Sequence, residues 1–258
     1  MRHDTGRMKK SILVGTHHKT GTKWLADIFR SFCRRRGIPF HDISIYRGQF
    51  RSDGEQAVFV RRENENGACV FFDANSRFQG ITAEDNGDFV GVHVIRDPRD
   101  VIISATHYHQ FAKEDWLHVA RDDLGGMSYQ EKLNSLSTLQ EKLEFEMRFA
   151  SRWVIHWMGA FKSRDLFKTF RYETLIGDGG LVEWGGMAGY LGLDQRETKA
   201  FLNSVQRNSL FGKKRKTGSG THIRSGKVSQ HRDPRYRDAF REFEALFPGV
   251  LRNLGYDQ

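Results

Sequence analysis

The chain has 258 residues, a formal net charge of +9 and 38% apolar residues, so it is long enough to bury a core without disulfides or metal ions. Its 20 Phe and 5 Trp argue against a disordered chain, and two cysteines are too few for a disulfide framework. There is no run of 18 apolar residues, and the polar N-terminus precedes only Ile12–Val14, so we expect a cytoplasmic protein without a membrane span.

The positive charge predicts a negatively charged ligand or partner: a nucleotide, a nucleic acid, a sulfated or phosphorylated substrate, or an acidic membrane. Two clusters, Arg34–Arg36 and Lys213–Lys216, concentrate this charge. Each cluster is also typical of a solvated face or a helix C-terminus, so charge alone does not choose the ligand.

Four short apolar runs are typical of strands buried in a parallel sheet. They are Ser11–Gly15, Ala68–Phe72, Phe89–Ile95 and Leu166–Phe170. Between or after these runs lie segments whose apolar residues recur at the spacing of a helix. The predicted helical segments are Gly21–Arg36, Arg99–His109 opened by Pro98, and Tyr129–Phe161, which carries one or two helices.

Strands that alternate with helices predict an α/β fold of three layers, with helices on both faces of a mostly parallel central sheet. We expect a single domain over residues 1–258, with a flexible N-terminus at 1–9. The segment 212–220 is rich in glycine and lysine and is predicted to be a mobile basic loop that closes over a bound ligand.

The segment from Gly15 to Trp24, between the first strand and the first helix, is predicted to bind an anion. Main-chain N–H groups at a helix N-terminus have no intrahelical partner, and the helix dipole adds positive partial charge. Gly21 allows the backbone to approach a ligand closely. Hydroxyl groups and amines for the anion would come from Thr20, Thr22, Lys19 and Lys23. The alternative is an ordinary strand-to-helix turn that carries lysines.

This segment departs from the phosphate loop of nucleoside triphosphatases, which needs the pattern G-x-x-x-x-G-K-[ST]. Five residues separate Gly15 from Gly21, and Lys23 is followed by Trp24 instead of a hydroxyl residue that would hold magnesium. The departure argues against an ATPase or a kinase.

A second anion site is predicted where the third strand ends, in the segment Ile95 to Ser104. Ligands of α/β sheets bind at the carboxyl ends of strands, and Arg96 occupies that position. Ser104 comes about two helical turns later, so the two side chains could converge on one phosphate. The alternative is a structural ion pair of Arg96 with Asp97 or Asp100.

Together these segments resemble the sulfotransferases that use 3′-phosphoadenosine 5′-phosphosulfate (PAPS). Lys19-Thr-Gly-Thr-Lys-Trp24 is similar to the 5′-phosphosulfate loop of that family, P-K-S-G-T-T-W, and Arg96–Ser104 is similar to its 3′-phosphate motif. Phe170–Leu175 is similar to the family's R-Y-E-D-L turn, and Ile223–Lys227 to its late R-K-G loop. The four matches occur in the family's order and span nearly the whole chain.

The resemblance implies a sulfotransferase fold related to the P-loop NTPases. It also implies transfer of a sulfuryl group from PAPS to a hydroxyl or amine, which leaves adenosine 3′,5′-bisphosphate (PAP). Lys19 would contact the bridging oxygen and the sulfuryl group. The 5′-phosphate would be cradled by Thr20, Gly21, Thr22 and Lys23. The adenine would lie against Trp24 and Tyr172. The 3′-phosphate would be held by Arg96, Ser104, Arg224, Ser225 and Gly226.

Alternatives stay open for three of these residues. Trp24 and Tyr172 are also typical of buried core aromatics, and Lys23, where the family usually has threonine, could point to solvent.

A hydroxyl acceptor also needs a general base, which cytosolic members of the family supply from a histidine in a K-T-H context. This chain has Phe72-Asp73-Ala74-Asn75 there, so Asp73 is the first candidate, although it could instead cap the following turn. Rival candidates are His17, His18, His107 and His109.

No metal-ligand spacing is apparent among the histidines and cysteines, so we expect no metal cofactor. The expected acceptor is a small molecule, a lipid or a carbohydrate, with no nucleic acid as partner; the oligomeric state is open. Three other functions compete: a nucleotide-binding phosphotransferase, a basic nucleic-acid-binding protein without catalysis, and a family member that binds the donor but is inactive.

Overall fold

The computed structural model describes residues 8–44, 50–161, 165–209 and 227–256. These residues form two compact units. The first comprises those within Met1–Ile95 and Phe161–Gly226, and the second those within Arg96–Ala160 and Lys227–Gln258. Of the predicted N-terminal segment 1–9 only Met8 and Lys9 are described, and the predicted basic loop 212–220 lies outside the described residues.

The first unit contains a parallel sheet, in which the described residues form five strands in the order β2-β3-β1-β4-β5. The strands are β1 Ser11–Gly15, β2 Phe40–Asp42, β3 Val70–Asp73, β4 Phe89–Ile95 and β5 Phe167–Arg171. The predicted α/β class is confirmed, with β1 and β4 at their predicted bounds. The edge strand β2 was not predicted, since three half-buried residues carry too little pattern.

Twelve α-helices occur in the part of the chain that the structure describes. They are α1 Thr22–Arg36, α2 Asp53–Glu65, α3 Pro98–His109, α4 Tyr129–Ser135, α5 Leu139–Arg148, α6 Ala150–Gly159, α7 Tyr172–Gly177, α8 Val182–Tyr190, α9 Gln195–Asn208, α10 Pro234–Arg237, α11 Phe243–Leu246 and α12 Val250–Leu254. Helices α1, α2 and α7–α9 belong to the first unit, and the others to the second. No helix among the described residues is long and apolar enough to cross a membrane.

The predicted helical stretch over Tyr129–Phe161 is divided into three helices, one more than the predicted maximum. A capping box at Thr138 starts α5: its hydroxyl accepts from the Glu141 N–H, while the Glu141 carboxylate accepts from the Thr138 N–H. Helix α2 was not predicted because it buries few apolar residues, although Ser52 caps its start by accepting from the Glu55 N–H at 3.2 Å.

The sheet is covered on both faces, as predicted. Ile12 and Val14 of β1 face one core, which α1, α8 and α9 complete, and Leu13 faces a second core with α2. Neighbouring side chains of a strand point to opposite faces, so a strand buried on both sides reads as a continuous apolar run. This is why β1 and β4 were recognisable from sequence.

Strands β1 and β4 are parallel neighbours, with Gly15 paired to His93. From β1 the chain continues to β2 and β3 on one side of the sheet, whereas β4 is followed by β5 on the other side. The strand order therefore reverses between β1 and β4. In open α/β sheets, the carboxyl ends of strands at such a reversal are where ligands bind.

Candidate functional site

The loop between β1 and α1 is organised around the main chain of His17. The His17 carbonyl accepts hydrogen bonds from the Thr20 N–H at 3.0 Å, the Thr20 hydroxyl at 2.8 Å and the Thr22 hydroxyl at 2.7 Å. The His17 N–H donates to the Thr20 hydroxyl oxygen at 2.9 Å. A hydroxyl has one hydrogen to donate. Both threonine hydroxyls therefore shape the loop, and the main-chain N–H groups of the first helical turn are left to meet an anion.

Two residues of this loop have left-handed backbone conformations. Lys19 has φ 65°, which costs a residue with a side chain about 1–2 kcal/mol, and its side chain is half-buried. Gly21 has φ 92°, and a Cβ there would lie 3.0 Å from Cδ2 of Tyr172. Glycine at position 21 therefore serves both the turn and the close approach of Tyr172.

The turn after β3 supports the same loop from the other side. The Thr16 N–H donates to the Asp73 carbonyl at 3.0 Å, and the Ser76 hydroxyl donates to the Thr16 carbonyl at 2.8 Å. A Cβ on Gly15 would lie 2.7 Å from the Ser76 hydroxyl oxygen, so glycine is needed for this approach.

The Asp73 carboxylate is fully buried and holds its own turn. It accepts hydrogen bonds from the Asn75 N–H at 2.8 Å, the Gln56 side-chain amide at 2.8 Å and the Arg77 N–H at 3.3 Å. Burial raises the pKa of Asp73, and these hydrogen bonds only partly oppose the rise. With 0% of its surface exposed, Asp73 has the geometry of the capping alternative. Its role as a general base stays a prediction that the geometry does not favour.

The rival histidines fall into two groups. His17 and His109 are buried: His17 lies 2.8 Å from His93, Nε2 to Nε2, and His109 Nδ1 donates to the buried Glu146 at 2.8 Å. Burial lowers the pKa of His17 to about 3. His18 and His107 keep part of their surface exposed, as a group that takes a proton from an acceptor must.

The aromatic candidates of the first unit lie in its core. Trp24 is buried, donates from Nε1 to the Asn208 carbonyl at 3.0 Å, and meets the rings of Tyr172 and Trp184 edge-to-face at 6.0 and 5.4 Å. Tyr172 is buried as well. The core alternatives for both residues agree with this packing, and their contact with adenine stays a prediction.

Lys23 takes the solvent-facing alternative. Its side chain is 60% exposed, and Nζ lies 3.9 Å from a carboxylate oxygen of Asp27, one turn further along α1. The binding role of Lys23 stays a prediction, and this geometry leaves its main-chain N–H in the first turn of the helix as the group for an anion.

In the second unit, Arg96 is part of a buried charge network. Arg96 is only 5% exposed, its Nη2 lies 3.8 Å from Oδ2 of Asp100, and Nη2 also donates to the Lys227 carbonyl at 3.3 Å. The structural ion pair with Asp100 is thus present. Asp97 has a different role, because it caps α3 by accepting from the Arg99 N–H at 2.9 Å.

Asp100 is held by a residue that the sequence did not indicate. Oδ1 of Asp100 accepts hydrogen bonds from the His231 N–H at 3.0 Å and from His231 Nδ1 at 2.9 Å. Burial alone would raise the pKa of Asp100, but the His231 hydrogen bonds and the charge of Arg96 outweigh burial and lower it. The lowered pKa favours the carboxylate form of Asp100, which forms an ion pair with the Arg96 guanidinium.

Ser104 lies one turn beyond Asp100 on α3, and both therefore lie on one face of the helix. Its side chain is half-buried and makes no hydrogen bond to the residues that the structure describes. Arg96, Asp100 and Ser104 thus follow one another at four-residue intervals. The remaining predicted 3′-phosphate residues, Arg224, Ser225 and Gly226, lie outside the described residues.

Three contributors to these segments were missed in the sequence. His93 left a signal, since a histidine inside the apolar run Phe89–Ile95 must find a buried polar partner. Ser76 and His231 left no signal in the sequence, because the groups they contact lie 60 and 131 residues away.

Across the described ranges, no group of three or more His, Cys, Asp or Glu side chains is placed to hold a metal ion.

Solved structures with a similar fold are found by comparison with known proteins. No family model matches the chain, and no curated protein matches it. Among solved structures, mouse sulfotransferase SULT7A1 complexed with PAP is 15% identical with a TM-score of 0.56, covering 96% of this chain and 85% of that one. Retinol dehydratase in complex with androsterone and inactive cofactor PAP is 13% identical with a TM-score of 0.52, covering 95% and 81%. The chain therefore has the sulfotransferase fold, as its sequence motifs predicted.

Proposed function

We propose that the protein is a sulfotransferase that moves a sulfuryl group from PAPS to a hydroxyl or amine of an acceptor. The observation that carries the proposal is the loop after β1, where a helix N-terminus, a left-handed Lys19 and a left-handed Gly21 coincide with the family's 5′-phosphosulfate motif. A non-glycine residue held in the left-handed region points to a functional constraint on the loop.

The 5′ end of the donor would bind in this loop. The main-chain N–H groups of Gly21, Thr22 and Lys23 would donate to the 5′-phosphate at the positive end of α1. Thr20 and Thr22 would act through the loop shape that their hydroxyls hold with His17. Lys19 would supply the ammonium beside the bridging oxygen.

The 3′-phosphate would bind to the second unit through Arg96 and Ser104. The ion pair with Asp100 limits the conformations of the Arg96 guanidinium, so less entropy is lost when it grips a phosphate. The Ser104 hydroxyl would donate on the same face of α3. The two motifs occur in the family's order along the chain, the first directly after β1 and the second directly after β4.

The chemistry needs positioning and positive charge. In the reaction, the bond between sulfur and the bridging phosphate oxygen breaks, while a new bond forms between sulfur and the acceptor oxygen or nitrogen. The leaving phosphate gains negative charge, which the Lys19 ammonium would stabilise. The acceptor loses a proton, and among the four rival histidines the partly exposed His18 and His107 have the access to take it.

The acceptor is proposed to be a small molecule, a lipid or a carbohydrate. Support for a small apolar acceptor comes from the retinol dehydratase structure, which contains androsterone and shares the fold. Incubating the protein with ³⁵S-labelled PAPS and panels of sterols, phenols, amines and sugars would identify the acceptor. Transfer of label to no panel member, by a protein that binds PAP, would instead support the inactive donor-binding alternative.

Calorimetry with PAP and with ATP tests the donor. We expect PAP to bind more tightly than ATP, and Arg96→Lys to weaken PAP binding by roughly 10- to 100-fold, since a bidentate phosphate contact is worth about 1.5–3 kcal/mol. Lysine at position 96 keeps a positive charge beside Asp100. The matched control is Arg241→Ala, which removes a guanidinium that is 77% exposed. A preference for ATP, or equal affinity for PAP and adenosine 5′-monophosphate, would refute the proposal.

A further inference from the structure

Two buried histidines face each other beneath the loop after β1. Nε2 of His17 lies 2.8 Å from Nε2 of His93, and each residue is 2% exposed. The rings meet edge-to-face, with centroids 5.0 Å apart. A separation of 2.8 Å between two ring nitrogens is a hydrogen bond, so one ring carries the hydrogen at Nε2 and the other accepts with a bare Nε2.

The His93 ring is fixed from the other directions. It stacks on Phe161 with centroids 3.9 Å apart and an interplanar angle of 17°. Its Nδ1 lies 3.3 Å from the Thr169 hydroxyl of β5, which either donates to or accepts from this nitrogen according to the tautomer. His93 itself is in β4, within the sheet. The His17 ring is therefore hydrogen-bonded to a rigid anchor.

The ring that His93 anchors is that of His17, and the main chain of His17 organises the loop after β1. The His17 main chain makes four hydrogen bonds with Thr20 and Thr22, and these bonds set the path of the chain through Lys19. Movement of the ring would move the carbonyl that holds both threonines. Two apolar side chains would fill the same space without the cost of burying polar nitrogens. An apolar pair would, however, lack the directional hydrogen bond by which His93 holds the His17 ring in one orientation.

We propose that His93 is a positioning residue, which holds the 5′-phosphate loop in its binding conformation through His17. The inference rests on the proposed function, because it concerns the loop assigned to the 5′ end of PAPS. It extends that function by adding a residue of β4, whose imidazole acts on the loop without touching the nucleotide.

The test compares two nucleotides on a set of variants. PAP carries both phosphates, whereas adenosine 3′-monophosphate lacks the 5′-phosphate. In His93→Leu we expect the Kd for PAP to rise roughly tenfold, the equivalent of one buried hydrogen bond, with an unchanged Kd for adenosine 3′-monophosphate. His93→Gln places an amide near the position of Nε2 and should restore most of the PAP affinity.

His41→Leu is the matched control. His41 lies on the edge strand β2, which β3 separates from β1, and its ring stacks on Phe71 with centroids 5.2 Å apart. The same substitution there should change neither Kd. Equal weakening of both nucleotides in His93→Leu would indicate a general packing role and would overturn the inference, as would an unchanged Kd for PAP.

A measurement on the wild-type protein decides the matter if His93→Leu does not fold. In protein with ¹⁵N-labelled histidine, the His17–His93 bond should give a scalar coupling between the two Nε2 nuclei. PAP should shift these resonances, whereas adenosine 3′-monophosphate should not. No coupling, or equal shifts with both nucleotides, counts against the positioning role. Failure of the wild type to bind PAP at all would instead reject the proposed function.

Discussion

His231 donates two hydrogen bonds to one oxygen of Asp100, from its N–H at 3.0 Å and from Nδ1 at 2.9 Å, across 131 residues of sequence. The same carboxylate lies 3.8 Å from the guanidinium of Arg96. A residue from the C-terminal part of the chain therefore orients the arginine to which the sequence assigned the 3′-phosphate. Asp100 therefore stabilises the fold, and in the proposed function it would affect nucleotide binding only through Arg96.

Replacing Asp100 by asparagine should destabilise the protein. We expect Asp100→Asn to lower the free energy of unfolding by about 2–3 kcal/mol, because it removes a carboxylate charge that pairs with the buried Arg96. The pKa of Asp100 is lowered in the fold, so its contribution is present above the unfolded-state pKa near 3.8 and is lost as the pH falls below that value. Urea unfolding at pH 7 and pH 3 measures both effects, and the difference in unfolding free energy between wild type and Asp100→Asn should be smaller at pH 3.

The control for that experiment is Asp123→Asn. Asp123 forms an exposed ion pair with Arg121 in the same unit, and exposed ion pairs contribute little to the free energy of unfolding. If the two variants lost the same stability, the buried network around Asp100 would have no special role.

His17 should make stability fall with decreasing pH. Its pKa is about 3 in the folded chain, whereas an unfolded histidine titrates near 6.5, so the unfolded state binds the proton first. The contribution of His17 is complete above pH 6.5 and declines as the pH falls towards 3; by pH 5 about 2 kcal/mol is lost. Urea unfolding of wild type and His17→Gln between pH 7.5 and pH 5 tests this. The variant should show the shallower pH dependence, and parallel curves would contradict the assignment.

Gly21→Ala should weaken both folding and PAP binding. The new Cβ would sit in a left-handed backbone and 3.0 Å from the Tyr172 ring, and we expect a loss of about 2 kcal/mol in unfolding free energy. Gly37→Ala, at the other end of α1, is the control, since Gly37 is also left-handed but a Cβ there meets no atom within 4 Å. Thermal unfolding and calorimetry with PAP should show the larger loss in Gly21→Ala; equal losses would mean that the contact with Tyr172 is irrelevant.

Lys19→Gly should separate stability from activity. Glycine relieves the left-handed strain at φ 65°, so we expect the free energy of unfolding to rise by up to about 1 kcal/mol. Loss of the ammonium should lower kcat by roughly 100- to 1,000-fold, the usual effect of removing one group that stabilises developing charge. The control is Arg34→Ala, an exposed charge at the far end of α1. Full activity in Lys19→Gly, measured once an acceptor is known, would exclude Lys19 from catalysis.

The sequence predicted the fold class well because the strands buried on both faces are short continuous apolar runs. β1 and β4 were placed at their observed bounds, and Pro98 marked the start of α3. Strand β2 and helix α2 were missed because their residues are mostly half-buried or exposed and carry weak periodicity. The segment Tyr129–Phe161 is divided into separate helices by capping residues such as Thr138, which the spacing of apolar residues does not reveal.

The sequence by itself determined the α/β class, the loop with Lys19 and Gly21, and the position of Arg96 after a strand, because all of these depend on residues that are close along the chain. Only the tertiary structure decided which side chains hold them. His93 on His17, Ser76 on Thr16 and His231 on Asp100 are contacts between distant segments. Their physical reason is burial: a polar group removed from water must find a partner, and the fold determines which distant group that partner is.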